Sequence, residues 1–405
     1  MSMGRWVEGH PNELTVSVGQ GGGVDIRGKD NVALQAAVDY CAGVGGGTVL
    51  VGAGKWVMHD SLHLRSQVTI RGAGEETVLW KPASVASALS TDIAFGHSDV
   101  SLASPEKFRP GMGVYVYDDI SGGFIRTIAT LTYRDGDRLG ISKPLQFDYC
   151  RHRNAVVVSV YPIISGYDVE DAAVESLAIE GNCAQNAAID GCRGGGIFVL
   201  GCKELRFADI SIRDYNGDGV SWQQNYDLSF EEIRVSGCSS GFHPGSGSTR
   251  WRVSRCVSAD NRGEGLFYCV RTTEGVVEDT EFARNGGNGL NCGNRDTDHI
   301  IRRCHIHDNG GAGILFRELD YAVAGHRVEV RDNVIEGNCR EEGMAEVDLA
   351  AELEGIVIEG NKIAPRPGKA GVRIARGVRS VEVGKNRILG GKKWAVVDER
   401  GQGGR

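Results

Sequence analysis

Between about positions 215 and 320 a Gly-plus-apolar mark recurs, and side chains able to do chemistry follow its copies at similar offsets. Gln223 and Gln224 follow Gly219, His243 follows Gly241, and Phe267 and Arg271 follow Gly265. Asn291, Asn294, Arg295 and Asp296 follow Gly289, and Arg317 and Glu318 follow Gly313. One chemistry this set can build is removal of the C5 proton of a uronate. Cationic or amide donors neutralise the carboxylate, the C5 proton becomes acidic, and a base takes it. His243 is the candidate base, because an unperturbed imidazole titrates near neutrality. Arg271 or Arg317 neutralises, with Gln223, Asn291 and Asn294 as supporting donors. Gln224 and Arg295 complete the polar edge, and Phe267 offers a face for a sugar ring or a protein contact. A second chemistry is glycoside hydrolysis, which needs two carboxylates. Asp296 and Glu318 stand in adjacent repeats, so ~5–7 Å between them is expected, in the range where spacing separates retention from inversion. Asp218, Asp298 and Asp320 are further carboxylates. A third use of the same edge is glycan binding with no chemistry.

The arginines weigh most. Three guanidinium groups near one edge repel unless each meets a carboxylate or an anionic ligand. Pairing of Arg295 with Glu318 and of Arg271 with Asp296 is one solution, and recognition of an acidic sugar is the other.

The elements that must hold these residues follow from the spacing of the mark. Successive copies from Gly196 to Gly313 are separated by 23, 22, 24, 24 and 24 residues, with looser copies at Gly343 and Gly371. Short alternating runs such as WRVSRCVS and HIIRRCHI lie between them, each closed by an Asn/Gly/Asp-rich turn. Period-two runs of three to five residues are strands, and Asn and Gly suit corners where φ turns positive. A 22–24-residue coil of short strands is a parallel β-helix. Leucine-rich repeats and ~40-residue propeller blades do not fit. Registering the coils on the mark places Val220/Trp222, Phe242/Pro244, Leu266/Tyr268, Leu290/Cys292 and Ile314/Phe316 inward. Ser221/Gln223, His243/Gly245, Phe267/Cys269, Asn291/Gly293 and Leu315/Arg317 then point outward. The expected organisation is a cap helix and first coils over 1–84, an inserted β subdomain over 85–165, coils over 166–400, and a tail at 401–405. Asp30 is the expected N-cap of the cap helix, whose apolar face is Leu34, Ala37, Val38 and Cys41.

The opening ALQAAVDY…GGGTVLV…TIRGAG, with the segments DYNGDGVSWQQ, FHPGSGS, GLFYCVR and NRDTDH, resembles the pectate-lyase-like right-handed parallel β-helix superfamily, bacterial β-helix-repeat proteins in particular. That resemblance implies an all-β solenoid with a capping helix. It also implies a carbohydrate-active enzyme of lyase, epimerase or hydrolase type, or a glycan-binding spike comparable to those of phages. His243 followed one coil later by Arg271 is similar to the base and neutraliser of alginate epimerases in this fold, although FHPGSGS stands where those enzymes carry Asp-Pro-His-Asp. A homotrimer is consistent with the resemblance. No cofactor is expected, calcium in the polar corners being the exception that the resemblance to pectate lyases leaves open.

Composition narrows the classes. Of 405 residues, 59 are Gly and 9 Pro, with no Gly-X-Y period, which excludes collagen. A hydrophobic content of 41% excludes disorder. The 45 basic and 53 acidic residues give a net charge of −8, against a general nucleic-acid binder. No apolar run reaches the ~20 residues of a membrane span, and MSMGRWVEGHPNE carries no apolar export core. The eleven Cys show no CxxC spacing. Reduced, mostly buried thiols in a cytoplasmic protein are expected, with Cys238, Cys256 and Cys304 stacked in equivalent places. His299, His305 and His307 lack partners at metal-ligand spacing. No Ser-His-Asp triad and no redox Cys pair is legible.

Overall fold

The computed structural model describes residues 14–401. The opening MSMGRWVEGHPNE and the tail beyond Gly401 lie outside the described residues. The chain winds into a right-handed parallel β-helix. One face is an 11-stranded parallel sheet, and a 22-stranded sheet forms the rest of the wall. A representative coil contributes Phe242–Gly245 to the first sheet, then Arg252–Ser254 and Val257–Ala259 to the second. These strands stack on Leu266–Phe267, Val276–Glu278 and Glu281–Ala283 of the next coil.

The corners explain why such short strands suffice. Arg250, Arg255 and Asp260 take φ of 54°, 52° and 57°, and each bends the chain by one left-handed residue. A non-Gly residue pays ~1–3 kcal/mol for that conformation. Stacking partly offsets the cost, because arginines and acids meet across coils at the corners: Arg250 pairs with Asp227 at 2.7 Å, Arg284 with Asp260 at 2.9 Å, and Arg303 with Asp279 at 2.7 Å. Just inside one corner runs an amide ladder. Asn261 Nδ2 donates to Asn285 Oδ1 at 2.9 Å, Asn285 Nδ2 to Asn309 Oδ1 at 2.9 Å, and Asn309 Nδ2 to Asn338 Oδ1 at 2.8 Å. Each buried amide thereby meets its partners in the adjoining coils.

The interior is a column of the predicted inward residues. Val220, Trp222, Phe242, Leu266, Tyr268, Leu290, Cys292, Ile314 and Phe316 all belong to one continuous buried cluster. Helix α1 (Asn31–Gly43) closes the end, with Asp30 accepting from the Val32 amide at 3.1 Å and Leu34, Ala37, Val38 and Cys41 buried. The cysteine stack differs from the expected one. Cys256 and Cys304 stand two 24-residue steps apart and share a column with Thr280, whereas Cys238 heads the amide ladder, its N–H donating to Asn261. None of the eleven cysteines is in a disulfide among the described residues.

Residues 86–158 form a separate six-stranded antiparallel sheet with its own core, including Val100, Val114, Leu131, Leu139 and Val157. This sheet is spliced between Leu62–His63 and Ile164–Tyr167, which pair directly as neighbouring strands of the 11-stranded sheet. The solenoid is thus regained by Ile164, and its last strand is Val396–Asp398. No helix among the described residues is long and apolar enough to cross a membrane.

Candidate functional site

The outward face of the 11-stranded sheet carries two columns of side chains. Phe198, Ser221 and His243 align through strand register, as do Phe267, Asn291, Leu315, Asp348 and Arg373. The His243 ring meets that of Phe267 edge-on at 5.3 Å, joining the two runs. The second column contains Leu200, Gln223 and Gly245, and then Gly293 and Arg317 further along.

Arg317 is held by an arrangement that depends on Gly293. A Cβ there would lie 2.3 Å from Arg317 Nε, so the bare backbone lets the guanidinium fold back across two coils. It donates to Asn291 Oδ1 at 3.1 Å and to the Tyr268 carbonyl at 2.8 Å, and lies over the Phe267 ring with Cζ 4.6 Å from the centroid. Asn291 in turn donates to Glu264 at 2.8 Å. Burial raises the Glu264 carboxyl above its usual range, against the opposing donors of Asn291 and Asn288. Glu264 immediately precedes the Gly265 mark, one residue before the offsets that the sequence reading followed.

His243 lies in the expected outward column but is buried, 6% exposed. A loop through Ile189–Gly194 crosses the sheet above it. A Cβ on Gly191 would come within 2.4 Å of His243 Nδ1, and the Gly191 carbonyl accepts from Ser221 Oγ at 2.6 Å. His243 Nδ1 is 2.6 Å from Asp218 Oδ2, and Asp218 Oδ1 accepts from the Ser240 amide at 3.0 Å. Burial pulls the imidazole down, but the Asp218 carboxylate and the neighbouring Cys192 sulfur together outweigh it and hold the group up at about 10. Nε2 has no hydrogen-bond partner among the described residues, and the thiols of Cys192 and Cys269 lie close to the ring. A covered imidazolium is not the solvent-facing base expected of His243.

Asp296 also departs from expectation. Its carboxyl is fully buried, accepts from the Thr272 amide at 3.0 Å and hydroxyl at 2.9 Å, and is pushed up to about 7 by burial. Arg295, left-handed at φ 62°, turns the chain so that the next residue points in. Glu318 is exposed at its own corner. The expected Asp296–Glu318 acid pair is therefore not assembled, and Asp298 is taken by Arg327 at 2.6 Å. Gln223 is buried and donates to Ser221 Oγ at 3.2 Å, which withdraws it from the surface. Gln224, Arg271 and Arg295 are exposed at left-handed corners (φ 59°, 55° and 62°), and Asn294 is half-buried beside them with an unpaired Oδ1.

Neither Arg271–Asp296 nor Arg295–Glu318 pairs among the described residues, and Arg317 meets no carboxylate within ion-pair distance. The contrast with the 22-stranded sheet is sharp, because Arg250, Arg255, Arg284, Arg302, Arg303 and Arg327 there all meet acids. Toward the insert, Lys143 sits 3.0 Å from the centroid of the Tyr167 ring, with its pKa lowered to about 8 by burial, and Arg193 lies over Phe124 at 4.9 Å.

A Ser-His-Asp chain illegible in the sequence also forms: His63 Nδ1 is 2.8 Å from Ser165 Oγ, and Nε2 is 3.3 Å from Asp60 Oδ2. Ser165 is buried and Asp60 also accepts from Thr130 of the insert at 2.6 Å, so the chain ties insert to solenoid. His305 and His307 lie on the 22-stranded sheet, paired with Glu336 and Glu281, and buried His299 donates or accepts only at Thr272 and Gly275.

Short parallel strands stacked coil upon coil define the chain as a right-handed parallel β-helix protein. The chain belongs to the right-handed beta helix region family, whose model matches residues 163–297 and 195–396. Among solved structures it is similar to the A-module of the Azotobacter vinelandii mannuronan C-5 epimerase AlgE4. The identity is 15%, with 91% of this chain and 93% of that one covered and a TM-score of 0.59. The AlgE6 A-module from the same organism gives 16% identity, 91% coverage of both chains and a TM-score of 0.58. An alginate lyase from Paenibacillus sp. str. FPU-7 gives 12% identity, 95% and 98% coverage, and a TM-score of 0.50. At these identities the shared property is the fold. No curated protein matches the chain.

Proposed function

We propose that this protein binds a uronate-containing polysaccharide along the outward face of its 11-stranded sheet and removes the C5 proton, leading to β-elimination or C5 epimerisation. The observation that carries the reading is the arginine asymmetry. In the same coils Arg250, Arg252, Arg255, Arg284, Arg302, Arg303 and Arg327 meet carboxylates around the 22-stranded sheet, while Arg271, Arg295 and Arg317 have no ion pair among the described residues. Unspent positive charge beside an aromatic ring suits a sugar carboxylate and the apolar face of its ring. The names of the structural neighbours, mannuronan C-5 epimerases and an alginate lyase, support the same substrate class.

In this reading Arg317 and Asn291 take the uronate carboxylate, which stabilises the charge that develops on it as C5 loses its proton. Glu264 accepts that proton, its raised pKa bringing it closer to the substrate carbon acid than an ordinary carboxylate. In elimination the electron pair forms the C4–C5 double bond as the 4-oxygen departs. In epimerisation a proton returns to the opposite face. Hydrolysis through Asp296 and Glu318 is not favoured, because Asp296 is sealed behind Thr272.

The test is a panel of acidic and neutral glycans followed three ways: ultraviolet absorbance of the unsaturated uronate, reducing ends, and the NMR signature of C5 inversion. Elimination raises the first two together and epimerisation changes only the third. Reducing ends without absorbance would replace this reading by hydrolysis. Affinity for acidic glycans with no product would reduce it to binding, and indifference to acidic glycans would overturn it.

A further inference from the structure

The loop over the sheet brings together three side chains that the function above does not use. Cys192 and Cys269, 77 residues apart, have their Sγ atoms 4.0 Å from each other. Those atoms and a ring nitrogen of His243 all lie within 4.8 Å of one another. We propose that Cys192, His243 and Cys269 form a metal site for a zinc-class divalent ion, with a fourth position left to water or to a ligand on the sheet face.

Geometry supports this first. Two thiolates bound at ~2.3 Å with a tetrahedral angle between them stand ~3.8 Å apart, close to the separation found here. A disulfide would need the sulfurs at ~2.05 Å. The donor set comes second. Two sulfurs and an imidazole suit zinc and other borderline or soft ions, and they are a poor match for calcium or magnesium, which take oxygen. Third, the imidazole is pre-oriented. Asp218 at 2.6 Å fixes the proton on Nδ1, so the proton that an ion displaces is the one on Nε2, the carboxylate–histidine–metal relation. Asp218 is itself fixed by the Ser240 amide. Fourth, His243 Nε2 is buried without any hydrogen-bond partner, and an ion would satisfy it.

The supporting elements are rigid enough to hold three ligands. His243 lies on a strand of the sheet, and Cys269 follows the corresponding strand of the next coil. Cys192 comes from the loop, which is pinned at two points: its own amide donates to Asp190 at 2.8 Å, and Ser221 Oγ holds the Gly191 carbonyl. Both cysteines are half-buried, so the site is not fully enclosed. The second cluster of potential ligands, Asp92, Cys150 and His152, offers one sulfur, and its Asp92 and His152 are exposed.

The experiment uses the intact chain, reduced and stripped with a chelator, and titrated with zinc or cobalt alone. One ion per chain is expected, with a thiolate-to-cobalt charge-transfer band. C192S and C269S should each abolish that band while leaving the far-ultraviolet circular dichroism and melting of the stripped protein close to those of the parent. D218N should keep the stoichiometry and weaken affinity by about 10–100-fold. A reduced, folded protein that binds no ion overturns the proposal, as does binding that C192S and C269S both leave unchanged. A Cys192–Cys269 disulfide in the protein as purified, together with no metal binding after reduction, overturns it in favour of a redox pair. None of these outcomes depends on glycan turnover, so the site stands or falls apart from the proposed activity.

Discussion

Replacing Asp296 by Asn gives a variant whose stability should cross that of the parent as pH is raised. In the folded protein this carboxyl titrates at about 7, against 3.8 ordinarily, because burial disfavours the charged form. A raised folded pKa means that the associated stability is fully present below pH ~4 and is lost as pH rises through 7. The interval corresponds to ~4 kcal/mol at 1.36 kcal/mol per unit. The amide of D296N is neutral throughout. Its oxygen can still accept from the Thr272 amide and hydroxyl, but its NH2 then faces the Gly293 N–H that Asp296 Oδ2 accepts at 3.2 Å. A buried donor left facing a donor costs ~1–3 kcal/mol. At pH 4 D296N should therefore be less stable by up to ~1–3 kcal/mol, the gap should already narrow by pH 5, and by pH 8 it should vanish or change sign. The assay is urea unfolding of both proteins across pH 4–8, with equal m-values as the control. Parallel stability curves across that range would refute the reasoning, because they would mean that Asp296 ionises as freely folded as unfolded.

Other outcomes follow from the same geometry. Arg317→Ala should weaken binding of an acidic glycan by about tenfold or more, and Gly293→Ala should reproduce much of that loss because its methyl displaces the guanidinium. Calorimetry with a defined oligouronate compares the two. Glu264→Gln should retain glycan affinity and lose ~10²-fold or more in turnover, so a variant with parental kcat would remove Glu264 from the proton-transfer role. Asn285→Ala orphans the Asn261 N–H, leaves the Asn261 side-chain amide only Ser258 Oγ, removes the donor to the Ser258 carbonyl, and should cost ~2–4 kcal/mol in urea unfolding. Arg284→Ala, which breaks an exposed pair with Asp260, should change stability by less than ~1 kcal/mol.

The wall of the solenoid was legible because it obeys a two-residue period. Once the coils are registered on the Gly mark, Val220 through Phe316 fall inward as the strands require, and His243, Phe267, Asn291 and Arg317 fall outward. Extrapolation failed where the period stops. Asp296 follows a left-handed residue, which reverses the facing that simple alternation assigns. Glu264 sits before the strand begins, so no alternation rule places it on the face. The Ile189–Gly194 loop left no mark at all, since nothing in its composition says which coil it crosses. It is nevertheless the segment that buries His243 and brings Cys192 to Cys269 across 77 residues. A similar gap hid the Ser165–His63 contact, whose partners are separated by the entire insert.

The uniform coil has an evolutionary consequence. Gly241, Gly265, Gly289 and Gly313 are separated by 24 residues, as are Asn261, Asn285 and Asn309. Along the wall the strands of each of these coils pair with those of the coil before and the coil after. Duplicating or deleting one such unit leaves strand register, amide ladder and outward columns continuous across the seam, while the face grows or shrinks by one strand spacing of ~4.8 Å. The distance between the His243 coil and the Arg317 coil is thus inherited separately from the chemistry of either. Descendants of this chain can match the spacing of charges on a new polymer by a single in-frame recombination, with no repacking of a core that already repeats.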